Sequence, residues 1–177
     1  MPPIDPASLQ SAVEGVAPGF TVREFRDAMG QFATGVVVIS TEIDGDAHAM
    51  TANAFMSGSL EPPLVLVSVA LSAKMHEKIA SARRFGVSVL AQDQLAASNH
   101  FAGRPAEGFA PDFDLLQGLP VIRGAAVHVA AQLEHAYPCG DHTLYVGRVL
   151  ALRGQSERPP PLLFHAGRYA AAQPIHC

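Results

Sequence analysis

Apolar and polar residues recur along this chain with two different periods, and each change of period marks an element. Thr21-Val22-Arg23-Glu24 fits a capping box, in which the Thr hydroxyl and the Glu carboxylate each satisfy an opposing N–H, so a helix starts there. Val22, Phe25, Met29 and Phe32 share one helical face, which predicts packing against the core. Gly30 weakens the helix interior, and Thr34-Gly35 ends it. Residues 35–43 (G-V-V-V-I-S-T-E-I) are strand by their β-branched content. Asp44-Gly45 predicts a tight turn into an antiparallel partner over residues 48–54.

Residues 64–70 (L-V-L-V-S-V-A) give a third strand, and Ser72 is expected to cap a helix over 73–83 with Met75 and Ile79 facing inward. A fourth strand follows at 85–91, then a short helix from Asp93-Gln94 through Phe101, stopped by Gly103-Arg104-Pro105. Residues 106–118 show no sustained period and hold Pro111, Asp112 and Asp114, which predicts a loop. Long strands are expected at 125–137 and 142–152 around a turn at Pro138–Asp141, and a short one at 162–165 before Gly167-Arg168-Tyr169. Six or seven antiparallel strands with a few peripheral short helices predict a mainly β fold, closed or partly closed into a barrel that removes strand edges.

Composition narrows this. The chain has 177 residues, 49% hydrophobic and 16% charged, enough for one compact domain. Its net charge of −4 gives no electrostatic case for nucleic acid or an anionic membrane. Two cysteines make neither a disulfide framework nor a metal cluster. No apolar run approaches the ~20 residues of a membrane span, and no basic region followed by an apolar stretch opens the chain, so a reducing cytoplasm is the expected setting. Residues 1–19, with Pro2, Pro3, Pro6 and Pro18, are expected to be a flexible leader, residues 20–170 the domain, and 171–177 a tail.

Candidate chemistry concentrates in residues 47–60 (A-H-A-M-T-A-N-A-F-M-S-G-S-L). Thr51, Ala52, Asn53, Ala54, Ser57 and Gly58 are small, so a flat ligand can approach the backbone there; the same residues also suit an ordinary turn. Ser72-Ala73-Lys74 stands where a strand gives way to a helix, and the N–H groups, hydroxyl and ammonium there suit a phosphate; an ordinary cap beside a surface lysine fits equally. His142, in Gly140-Asp141-His142, is either a ligand contact or a solvated turn residue. His76-Glu77 lacks a second histidine four residues on, Ser57-Gly58-Ser59 lacks the frame of a nucleophile elbow, Cys139 stands between Pro138 and Gly140 and reads as incidental, and no G-x-G-x-x-G occurs.

Seven strings, in order, resemble one family: residues 25–41 (F-R-D-A-M-G-Q-F-A-T-G-V-V-V-I-S-T), 48–60, 63–69 (P-L-V-L-V-S-V), 72–75 (S-A-K-M), 99–103 (N-H-F-A-G), 140–149 (G-D-H-T-L-Y-V-G-R-V) and 162–169 (L-L-F-H-A-G-R-Y). These are similar to the short-chain flavin reductases, the reductase components of two-component flavin-dependent monooxygenases for phenol or 4-hydroxyphenylacetate. The resemblance implies a split β-barrel, a homodimer, FMN or FAD with NADH or NADPH, and reduced flavin diffusing to a partner oxygenase. It implies that Thr51, Ala52, Asn53, Ala54, Phe55, Ser57 and Gly58 line the isoalloxazine and ribityl chain, that Ser72, Ala73 and Lys74 lie at the phosphate, and that Phe101 belongs to the cofactor site. It also implies that His142 contacts the nicotinamide, with Arg168 and Tyr169 nearby. The cofactors carry the hydride step, so no general base is expected. A flavin carrier or sensor without turnover, and a split-barrel oxidase of a pyridoxal-type phosphate, are the alternatives.

Overall fold

The computed structural model describes residues 19–173. The expected leader therefore lies outside the described residues but for Gly19, as does the tail beyond Gln173. Helix α1 spans Val22–Met29, and its capping box forms: Glu24 N–H donates to Thr21 Oγ1, and Thr21 N–H donates to Glu24 Oε2 at 2.7 Å. Strands β1 (Thr34–Gly35) and β2 (Val37–Ile43) follow, then β3 (Asp46–Ala52). The turn between β2 and β3 places Asp44 and Gly45 at φ of 55° and 87°, the pair of positive values a two-residue hairpin requires. Next come β4 (Phe55–Leu60), β5 (Pro63–Ala70), helix α2 (Lys74–Ala82), β6 (Arg84–Val89) and helix α3 (Leu95–Phe101). The chain closes with β7 (Phe113–Leu116), β8 (Leu119–Ile122), β9 (Val127–Cys139), β10 (His142–Gly154), β11 (Leu162–His165) and β12 (Arg168–Ala171).

Seven strands make the main sheet, antiparallel throughout, in the order β3-β2-β6-β9-β10-β5-β4. Asn53 and Ala54 alone join β3 at one edge to β4 at the other. Three steps between successive Cα atoms span at most about 11 Å. The sheet must therefore curl until its two edges nearly meet, which makes a split barrel, as expected.

Inside the curl lie Val37, Ile39, Val65, Val67, Val69, Phe85, Val87 and Tyr145, and α2 closes it with Met75 and Ile79. A second cluster holds Val36, Val38, Leu90, Ala97, Ile122 and Leu162 on the outer face of β2, beneath α3 and β11. Buried on both faces, the chain entering β2 reads as an unbroken apolar run from Val36 to Ile39, where a half-solvated strand would alternate.

Three expectations are corrected. Residues 113–122 form the β7–β8 hairpin where a loop was expected up to residue 118. Residues 55–60, whose Ser and Gly suggest a turn, form β4 because β5 offers them a long-range partner. Ser72 does not cap α2: Ala73 takes the N-cap position, with its N–H bonded to Ala70 O, so the turn is one residue later than the cap chemistry suggests.

Candidate functional site

Beside the seam of the barrel lies an open cleft of about 1280 Å³. Its floor is the outer face of β5 and β10. Along β5, Val65, Val67 and Val69 point into the core, so Leu66 and Ser68 point out into the cleft. Along β10, Thr143 and Tyr145 are buried, and His142 and Leu144 face the cleft. The link Asn53-Ala54 and Phe55 form one side. Thr34, Phe164, Ala166 and Gly167 form the end, where Ala166 N–H donates to Gly30 O at 2.7 Å.

The opposite wall is α1. Its apolar face does not pack on the core as expected: Val22, Phe25, Met29 and Phe32 are 76%, 52%, 56% and 77% exposed, and no residue of the helix is buried. The periodicity identified an apolar face correctly. What that face meets among the described residues is the open cleft, which Val22, Phe25, Met29 and Phe32 all line.

Polar side chains in the cleft include Arg26, Gln31, Thr34, Asn53, Ser68 and His142. Thr34 Oγ1 is buried and has no hydrogen-bond partner among the described residues. A buried hydroxyl left unpaired costs roughly 1–3 kcal/mol, and Thr34 is one of the residues lining the cleft. His142 Nδ1 lies 2.7 Å from Asp141 Oδ1. The carboxylate can only accept, so Nδ1 carries the proton and Nε2 is left as the ring's other polar atom. That hydrogen bond, with the histidine's charge, holds the Asp141 carboxyl below its ordinary range.

Of the residues expected at the site, Asn53, Ala54, Phe55 and His142 line the cleft together. Thr51 and Ala52 end β3 just before the link, and Thr51 Oγ1 donates to Ser98 O at 2.7 Å. Ser57 and Gly58 are exposed on β4. Ser72, Ala73 and Lys74 form the start of α2 beyond β5, with Ser72 and Lys74 exposed. Phe101 packs on Phe113, ring centroids 5.9 Å apart, within the second core cluster and away from the cleft lining. Arg168 and Tyr169 follow directly on the lining residue Gly167; the Tyr169 hydroxyl lies 2.9 Å from Ser98 Oγ, and its ring meets Phe164 edge-on.

Sequence reasoning missed Thr34, Leu66, Ser68, Leu144 and Phe164. A signal existed for β5: Leu64, Leu66, Ser68 and Ala70 alternate with Val65, Val67 and Val69, so both faces of the strand are largely apolar and both need covering.

A curled antiparallel sheet with an apolar cleft at its seam is the architecture of the split-barrel flavin reductases. Residues 29–173 match the flavin reductase like domain, and the chain belongs to that family. An NADH-dependent flavin reductase from a Rhodococcus species is 43% identical over 159 residues, covering 88% of this chain and 89% of its own length. The reductase component of 4-hydroxyphenylacetate 3-monooxygenase from Thermus thermophilus is 41% identical over 143 residues, covering 81% of this chain and 92% of its own length. The solved structure of the flavin reductase PheA2 superposes with a TM-score of 0.84 at 45% identity, covering 88% of this chain and all of that one.

Proposed function

We propose that the protein is an NAD(P)H:flavin oxidoreductase that takes FMN or FAD and NADH or NADPH, and that the reduced flavin leaves to serve a separate oxygenase. The observation that carries this is the cleft. Its volume of about 1280 Å³ lies above the roughly 300–1,000 Å³ usual for a ligand pocket. Its open apolar walls suit two flat rings laid one on the other. Membership of the flavin reductase like family supports the same reading.

The residues present fit such ligands. The Thr34 hydroxyl is an orphaned polar atom able to pair with a ring heteroatom, and Asn53-Ala54 offers backbone without bulk. The nicotinamide and flavin, when bound, supply the hydride chemistry themselves. The chain's part is to stack them, exclude water along Leu66, Leu144 and Phe164, and orient the nicotinamide with His142, itself held by Asp141. Lys74, at the positive end of α2, is assigned to a phosphate.

The working unit is a homodimer, a reading supported by the exposed apolar side of α1. It works in the cytoplasm, a reading supported by the exposed free thiol of Cys139. Among the described residues no helix is long and apolar enough to cross a membrane.

The test is turnover. Catalytic amounts of protein with NADH or NADPH and excess free FMN or FAD are followed at the nicotinamide absorbance band. Many turnovers per chain are expected with at least one pair. Flavin binding without any turnover would make the protein a carrier instead.

A further inference from the structure

Strand β4 pairs with β5 through a change of register: Ser57 lies opposite Val65, and Ser59 opposite Leu64. Gly58 is the extra residue of this bulge. A Cβ built on Gly58 would stand 2.0 Å from Cδ1 of Leu66 and 3.4 Å from its Cγ, while the nearest backbone atom, Leu64 O, is 3.8 Å away. The space that any other residue would fill at position 58 is therefore taken by the end of the Leu66 side chain. Leu66 is also part of the cleft floor.

We infer that Gly58 is a positioning residue: its missing side chain berths Leu66 and thereby sets how much of the cleft is open to a flat ligand. The inference rests on the flavin reading above. Leu66 cannot retreat through the sheet, because Val65 and Val67 fill the opposite face. Its neighbours in register are Met56 on β4 and Val146 on β10, so both sideways directions along the sheet are occupied. Pushed from its berth, the side chain rises off the sheet into the cleft. The displaced atoms are the far end of a flexible side chain, so the fold tolerates the change and the ligand does not.

Gly58→Ala, Leu66→Ala and the double variant separate the possibilities. Flavin binding is read by fluorescence titration with FMN and with FAD, alongside steady-state oxidation of NADH and NADPH and a thermal melt. Gly58→Ala is expected to weaken flavin binding about three- to tenfold and to raise the flavin KM with it, with kcat changed less than about twofold. With Leu66 already cut to alanine, adding Gly58→Ala should leave the dissociation constant unchanged, since nothing is left to displace. Undiminished weakening in the Leu66→Ala background, or unchanged affinity in Gly58→Ala alone, overturns the inference. A wild-type chain that binds flavin but never oxidises a nicotinamide nucleotide sinks the reductase reading and leaves the berth to be decided by the titration. One that binds neither flavin overturns both.

Discussion

Thr34 is a residue whose cost and use can be measured apart. Its buried, unpaired Oγ1 is a burden on the ligand-free chain. Thr34→Val should melt at or above the wild-type temperature and bind flavin or nicotinamide about 0.5–1.5 kcal/mol more weakly. Thr34→Ser, which keeps the hydroxyl, should bind nearly as wild type does. Wild-type affinity for both ligands in Thr34→Val would show that the hydroxyl faces neither. His142 makes a second case. Its ring is held through Nδ1 by Asp141 on the cleft floor, far in sequence from the Asn53-Ala54 link. His142→Ala should raise the KM for NADH or NADPH about tenfold, with flavin affinity near wild type. Loss of flavin affinity with normal nicotinamide kinetics would mean that the two ligands had been assigned to each other's places.

Among the elements, the β7–β8 hairpin is fastened to the barrel by polar contacts that titrate. His128, buried on β9, donates from Nε2 to Ile122 O at 2.7 Å, and Arg153 Nε donates to its Nδ1 at 3.3 Å. Asp114 of the hairpin lies 3.1 Å from Arg123 and 3.5 Å from Arg153. Burial chiefly, and Arg153 beside it, push the His128 pKa below the ordinary value of 6.5. The neutral ring is thus the form the fold accepts. Its contribution is fully present above about pH 6.5, and it falls away below that, where the unfolded chain takes up a proton that the folded chain refuses. His128→Gln, which retains an N–H for Ile122 O, should lose less stability than wild type between pH 7 and pH 5 in urea titrations. Parallel curves would place the acid sensitivity elsewhere. This hairpin also shows where the sequence stops being legible. The Asp44-Gly45 turn, strand β2 and the Thr21 cap are written in local chemistry, and each forms as expected. Strands β4 and β7 are short and carry Ser57, Gly58 or Asp114, so they become strands only through partners elsewhere in the chain. The cleft was legible where small residues cluster at Asn53-Ala54. It was not legible at Leu66 or Thr34, because an alternating pattern says which side chains share a face and not whether core or ligand covers it.

For the whole molecule, the apolar side of α1, together with Met56 and Leu60, which are 60% and 92% exposed, forms an uncovered apolar surface among the described residues. A second copy covering this side would bring its own apolar face to the mouth of the cleft. Sedimentation at micromolar concentration should therefore show wild type at twice the single-chain mass, and Phe25→Asp with Phe32→Glu should reduce it to one. A wild-type monomer with full activity would refute this. The link between β3 and β4 has one more consequence. On the proposed flavin reading Asn53 and Ala54 would flank the ligand, and among the described residues they also join β3 to β4 across the gap where the sheet fails to close. A ring seated against them would work like a clasp on an open bracelet, and its release would let the two free margins breathe. On that reading, heat resistance should rise with the supply of the protein's own substrate, and the starved chain should be the looser one.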